Sequence, residues 1–402
     1  MNIISGGLCA AKGFKAGSTL CGIKESQTKE DLAIILSDCP CTAAATYTLN
    51  QVKAAPLYVT MEHLKDGTAR AIVVNSGNAN ACAPEGMENA LRQAKAAADF
   101  LGIDENQVLV ASTGVIGQRL NIECIEENIG NINLTYDGSE AASIAIMTTD
   151  THPKTAAVEF MIGGKICRMG GIAKGSGMIH PNMGTMLSFI TTDCAITQEM
   201  LQEALSESVK RSYNRVTVDG DTSTNDMCVV LANGTAENRI IAQKNEDYDA
   251  FYNALHEVNI SLARQIAADG EGATKLITCI VRGAGSEEAA EALAKSVCGS
   301  SLVKAAIFGA DANWGRVLCA MGYANASFNP ASVRISFSSG AGKLMVCDQG
   351  HGVDFDEALA KKILLEKEIT VEIDLWEGNS AAACWGCDLT YDYVKINGDY
   401  RT

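Results

Sequence analysis

The chain has 402 residues, 47% of them hydrophobic and 20% charged, a composition that builds a buried core and excludes an intrinsically disordered protein. Its formal net charge of −16 argues against nucleic acid as the main partner, because phosphate binding takes clustered Lys and Arg. The length allows two or three ordinary domains or one large interwoven body.

The first seven residues lack the basic stretch and apolar core of a secretion signal. No apolar run approaches a membrane span, so a cytoplasmic protein is expected. Fifteen cysteines in a reducing compartment are expected to be buried small apolar side chains. The close pairs are Cys39-Pro40-Cys41 and Cys384-Trp385-Gly386-Cys387. The second has redox or zinc spacing, but no Cys/His pair at finger spacing matches it, and no metal is expected.

In chain order, residues 31–37 and 71–75 are strand candidates. The second runs into Asn75-Ser76-Gly77-Asn78-Ala79-Asn80, a polar run of small residues at the carboxyl end of a strand, where sites often sit. Residues 85–101 predict a helix with Met87, Leu91, Ala94 and Ala98 on one face. Residues 108–117 predict a strand entering a Gly-containing turn, which serves either as a plain structural turn or as an anion-binding nest of backbone N–H groups. A short helix over 141–147 leads to a hydroxyl-dense loop, 148–153. Residues 157–167 form a hairpin turning at Gly163-Gly164.

The next stretch, 174–193, organises the chain. It begins with Lys174 and a glycine-rich loop, passes Pro181, reaches Gly184-Thr185, and then turns apolar at Met186, Leu187, Phe189 and Ile190. This pattern delivers Thr185 to the start of a buried strand. A hydroxyl there can serve as a nucleophile, and a Gly-Thr peptide in a tight turn can be attacked by the threonine's own Oγ. The alternative is a structural loop before a core strand.

Beyond it, residues 198–213 predict an amphipathic helix capped by Thr197, with Leu201, Leu205 and Val209 on one face. Residues 216–226 form a polar loop, either a solvated turn or a site. A calcium loop does not fit, because the closing bidentate Glu is missing. A strand over 227–231 and a helix over 248–268 follow, the helix ending near Gly270 as a C-cap. Glu271 lies between two glycines next to a strand, 276–281, an address that suits substrate binding or acid/base work. A helix starts at Ser286, and 307–316 is expected to be a strand-to-loop transition. Residues 333–336, 344–347 and 369–375 are strands, and the tail 391–402 is expected to tuck against the body. Interspersed strands and helices, without repeats or linkers, predict an α/β or α+β protein with large buried sheets.

As an ordered set, these landmarks resemble the ArgJ family, the ornithine acetyltransferases (glutamate N-acetyltransferases) of arginine biosynthesis. The matching pieces are residues 13–15, 75–81, 112–117, 147–151, 174–179 with 183–187, 219–226, 270–275, 309–316, 394–397 and 401–402. Each is weak alone, and together they span the chain. One departure is Gly184 before the nucleophile, where alanine is more usual in the family; glycine makes the turn easier to form.

The resemblance implies a layered αββα fold of the ArgJ/DmpA-like type and a precursor that cuts itself between Gly184 and Thr185. An alpha chain, 1–184, and a beta chain, 185–402, would remain interwoven, with two copies of each making a heterotetramer. It implies Thr185 as nucleophile, Thr113 and Gly114 as the oxyanion hole, and Thr148, Lys174, Thr185, Glu271, Asn397 and Thr402 as substrate contacts. The reaction implied is ping-pong acetyl transfer from N2-acetylornithine to glutamate. The resemblance implies no bound cofactor, with acetyl-CoA a co-substrate in some members. A threonine hydroxyl needs a neighbouring base. The free α-amine of Thr185, with an ordinary pKa of about 7.7–8.0, and Glu271 are both compatible with that role. A self-processing amidase or aminopeptidase, passing the acyl group to water, is the alternative enzyme. A non-catalytic module holding a phosphate in its Gly-rich loops is the other, though no P-loop pattern accompanies it.

Overall fold

Long apolar runs make buried strands, and here they make two sheets flanked by helices. The computed structural model describes residues 1–24, 26, 28–180 and 186–399. In chain order the strands are β1 (Asn2–Ile3), β2 (Phe14–Thr19), β3 (Leu32–Tyr47), β4 (Thr68–Asn78), β5 (Val108–Val115), β6 (Lys154–Ile162), β7 (Lys165–Lys174), β8 (Leu187–Thr192), β9 (Val216–Thr217), β10 (Met227–Ala232), β11 (Leu276–Ala284), β12 (Arg334–Ser339), β13 (Gly342–Asp348), β14 (His351–Gly352), β15 (Glu368–Asp374) and β16 (Ser380–Cys387). Among the described residues the first sheet has nine strands, ordered β1-β6-β7-β8-β10-β3-β4-β5 with β2 paired to β3, and the second has seven, ordered β14-β13-β12-β15-β11-β16-β9. Strands β8 and β10, which follow residue 185, therefore lie between β7 and β3, which precede it.

The helices Gln198–Arg211 and Glu246–Ala268 bury Leu201, Leu205, Val209, Phe251, Leu255, Val258 and Leu262 in one cluster with Phe160, Met169 and Ile190 of the first sheet. A second cluster joins one face of the second sheet to the helices Glu287–Gly299, Ser301–Phe308, Trp314–Gly322 and Glu357–Leu364. This is the layered α/β architecture expected. Among the described residues no helix is long and apolar enough to cross a membrane.

Several local expectations change. Residues 307–316 are not a strand end: Ile307 closes the helix Ser301–Phe308, and Trp314 opens the next, capped by Asn313, whose side chain accepts from Arg316 N–H. In the helix Gly86–Leu101, Ala94 and Ala98 are buried but Met87 and Leu91 are exposed; the inward face is carried by alanines with Asn89 and Gln93. The loop before β10 is solvated only in part: Gly220 and Asp221 are exposed, but Thr224, Asn225 and Asp226 are buried. Helix Glu246–Ala268 ends at Asp269. Gly270 is needed for space instead, because a Cβ there would lie 2.6 Å from Cys387 Sγ. Cys384 and Cys387 belong to opposite core clusters, as odd spacing on a strand demands, so this pair does not form a chelating fork. The tail is a helix, Tyr391–Gly398. It docks by its polar edge and a Phe308–Tyr391 ring contact, leaving Val394 exposed.

Candidate active site

At the carboxyl end of β5 the chain turns. Asn78 of β4 pairs with both Thr113 and Val115, a bulge in an otherwise regular parallel ladder. Gly114 sits at φ +131° with its Cα face against β4: a Cβ would lie 2.3 Å from the Gly77 carbonyl carbon and 2.5 Å from Asn78 N. Only glycine fits such an approach. The Asn75–Asn80 run, read as a site, is the scaffold of this bulge. Asn75 Nδ2 donates to Asn78 O at 2.9 Å, and Ser112 Oγ donates to Asn75 Oδ1 at 2.5 Å. From the buried loop before β10, Asn225 Nδ2 donates to Ala79 O at 2.6 Å and Ser112 O at 2.8 Å. Gly114→Ala is expected to spring this turn. Turnover should fall by about 10²–10³, the typical cost of one oxyanion donor, and the melting temperature should drop; unchanged kcat would exclude the turn from the chemistry.

The turn opens into a cavity of about 340 Å³, lined by Thr113, Gly114, Thr148, Lys174, Glu271 and Asn397 together with Gly177 and Asp226. The first six come from the end of β5, the loop after the helix Ser139–Ala145, the end of β7, the loop after Ala268 and the C-terminal helix. Lys174, buried, donates to Thr148 Oγ1 at 2.8 Å and more weakly to Thr113 Oγ1 at 3.4 Å. Burial pushes its pKa down, and the Asp150, Asp226 and Glu271 carboxylates oppose that. Glu271, also buried, accepts from Asn397 Nδ2 at 2.7 Å, and its own N–H donates to Ser176 O at 2.9 Å. The cavity thus offers a lysine from the end of β7 and a carboxylate from the loop after Ala268. Met186 and Leu187 complete the wall. The cleavage-site residues Gly184 and Thr185, and the C-terminal Thr402, lie outside the described residues.

Sequence reasoning passed over Asp226. It is buried on the cavity wall, where Met227 N–H donates to Met186 O at 2.9 Å, and its Oδ2 has no hydrogen-bond partner among the described residues. Burial raises its pKa well above the carboxylate range, outweighing Ser223 and Lys174, which lower it. The folded protein therefore keeps a proton that the unfolded chain releases above about pH 3.9. The sign follows: this carboxyl costs stability increasingly as pH rises toward its folded pKa. Asp226→Asn should melt like the wild type near pH 4 and gain on it by up to about 1.4 kcal/mol per pH unit above that. Parallel melting curves from pH 4 to 8 would show that the group is ionised in the folded state.

A glycine turn at a strand's carboxyl end, hydroxyls beside it, and a buried lysine and a buried carboxylate on one cavity wall are the parts that acyl transfer on a charged substrate requires. The sequence comparisons narrow the class. The family model described as "ArgJ family" matches residues 15–402, and the chain belongs to that family. Arginine biosynthesis bifunctional protein ArgJ 1 of Clostridium acetobutylicum is 52% identical over 392 residues, 97% of this chain and 96% of its own. Arginine biosynthesis bifunctional protein ArgJ of Caldanaerobacter subterraneus subsp. tengcongensis is 50% identical over 405 residues, covering 100% of both. The crystal structure of arginine biosynthesis bifunctional protein argJ from Bacillus halodurans, 47% identical, superimposes with a TM-score of 0.51 and covers 53% of this chain and 99% of its own.

Proposed function

We propose that the protein, acting in the arginine pathway in the cytoplasm, transfers the acetyl group of N2-acetylornithine to glutamate through an acetyl-Thr185 intermediate, after cutting its own chain between Gly184 and Thr185. The observation that carries this reading is the convergence of Thr113, Gly114, Thr148, Lys174, Glu271 and Asn397, from five separate segments, on one cavity. Its volume is at the lower end of the ~300–1,000 Å³ usual for small-molecule sites, which suits an acylated amino acid.

Thr185 Oγ attacks the acetyl carbonyl and gives its proton to the α-amine freed by cleavage, whose ordinary pKa of about 7.7–8.0 fits a base near neutral pH. The oxyanion settles on the Thr113–Gly114 turn. Ornithine leaves with the proton, and the amine of glutamate attacks the acetyl ester. Lys174, held by Thr148, takes the substrate carboxylate. Glu271, held by Asn397, takes the donor's side-chain ammonium, and Thr402 completes the contacts. The word bifunctional in the relatives' names supports a second entry of the acetyl group, from acetyl-CoA as co-substrate.

The sheet order supports the two pieces staying together after cleavage, since β8 and β10 are hydrogen-bonded between β7 and β3. The Bacillus halodurans chain, which covers 53% of this one, supports the cut: a piece from residue 185 onward is a little over half of the 402 residues. Two copies of each piece form the assembly. The deciding assay follows ornithine release from N2-acetylornithine. Without glutamate, one equivalent per site is expected, then arrest; with glutamate, continuous turnover. Continuous release without glutamate would mean that water is the acceptor and the protein is an amidase.

A further inference from the structure

Four ionisable side chains run in single file away from the cavity. Lys174 Nζ lies 3.9 Å from Asp150 Oδ2. Asp150 Oδ1 accepts from Lys154 Nζ at 2.7 Å, and Lys154 Nζ donates to Asp269 Oδ2 at 2.5 Å. Lys154 and Asp150 have fully buried side chains, and that of Asp269 is only 3% exposed. Burying charges is expensive even when they are paired, and an apolar core of the same volume is often as stable. Stability alone therefore gives no reason for a lysine between two carboxylates at this depth.

The connections of the two carboxylates give one. Asp150 accepts the N–H of Thr148 at 3.0 Å and of Gly175 at 2.7 Å, so it ties the loop carrying Thr148 to the end of β7 carrying Lys174. Asp269 accepts the Thr151 N–H at 3.0 Å and the Thr151 hydroxyl. Its carbonyl accepts from Ser176 Oγ at 2.7 Å, and Ser176 O in turn receives the Glu271 N–H. The Lys154 ammonium joins the two carboxylates directly, beside the Ser176 and Thr151 bonds that also connect these segments. It locks the strand end that presents Lys174 to the loop that presents Glu271.

We propose that Lys154, clamped between Asp150 and Asp269, is a positioning residue that fixes the separation of Lys174 from Glu271 and thereby sets the donor chain length the enzyme accepts. This rests on the reading above, in which Lys174 and Glu271 take the two charged ends of the donor. A donor pinned at both ends is sensitive to one methylene, because a longer or shorter chain cannot meet both groups without moving a loop.

The test compares N2-acetylornithine with N2-acetyllysine, one methylene longer, as donors to glutamate. The wild type should prefer the ornithine donor. Lys154→Met, which keeps the volume and removes the charge, should lower kcat/KM for N2-acetylornithine roughly 10- to 100-fold, mainly through KM, and shrink the preference over N2-acetyllysine about 10-fold. Asp269→Asn keeps its shape and opens the same clamp from the other side, so it should shrink the preference likewise even if the methionine variant folds poorly. Thermal melting and fragment pattern on the same samples report folding. A folded variant of either kind with the wild-type donor ratio overturns the proposal. Wild-type protein that takes acetyl from neither donor overturns the functional reading beneath it.

Discussion

A chain carrying Thr185→Ala runs as one band on a denaturing gel and transfers no acetyl group. In the cleavage proposed for the wild type, Thr185 Oγ attacks the carbonyl carbon of Gly184. The peptide C–N bond breaks as the ester forms, the α-amine is freed, and water then hydrolyses the ester to leave a Gly184 carboxylate and a threonine with both nucleophile and base. Alanine removes the only atom that starts either reaction. Losing a nucleophile of this kind costs roughly six orders of magnitude in turnover, which brings the assay to its floor. The fold should survive, because β8 begins only at Leu187 and keeps its ladder to β7 and β10 whether or not the chain is cut. Two fragments from the alanine variant, or an intact wild-type mass, would remove Thr185 from both roles. Thr185→Ser, which keeps an oxygen at the same place, should still cleave.

What could be read in advance follows from how far each signal reaches along the chain. The turn at Gly114 and the glycine-flanked Glu271 are each marked within about ten residues by glycines beside apolar sequence, so their place on the cavity was legible. The six described site residues then meet on one cavity wall. Lys154 carried no such mark. At the start of a strand it looks like any solvated charge, and its burial comes from Asp269, 115 residues away. Asp150 looked like one more polar residue in a hydroxyl-rich loop. The helix face at Met87 and Leu91 failed for a related reason: size and hydrophobicity pointed inward, but the close approach of that helix to the sheet admits alanine at the contact, and the large side chains face out. Residues 307–316 misled because an apolar run before glycine is common to strands and to short helices. There Lys275 Nζ, donating to Ile307 O at 2.6 Å and Phe308 O at 3.2 Å, closes the helix from a distant loop.

Gly177→Ala is expected to cost more activity than Glu271→Gln, although it touches no ionisable group. The backbone at Gly177 is not left-handed, so alanine meets no conformational penalty there. Its methyl would lie 2.3 Å from both the carboxyl carbon and Oε2 of Glu271, and 2.4 Å from Oε1. Something must move, and the other side of the carboxylate is closed. Asn397 holds Oε2, the Glu271 N–H is bound to Ser176 O, and the chain beyond is fixed by Gly272 at φ +67°, where even a Cβ would meet Tyr393 N at 2.7 Å. The carboxylate is therefore pushed from its place on the cavity wall and loses its bond to Asn397. Glu271→Gln keeps the shape and removes only the charge, a loss of about 1.5–3 kcal/mol, or roughly 10- to 150-fold in kcat/KM for N2-acetylornithine. Gly177→Ala should exceed that while leaving the melting temperature near the wild-type value, because the displaced group faces a water-accessible cavity and not the core. If alanine at 177 leaves kcat/KM intact while glutamine at 271 lowers it, the carboxylate acts from a second position. If both leave it intact, the substrate ammonium is held elsewhere.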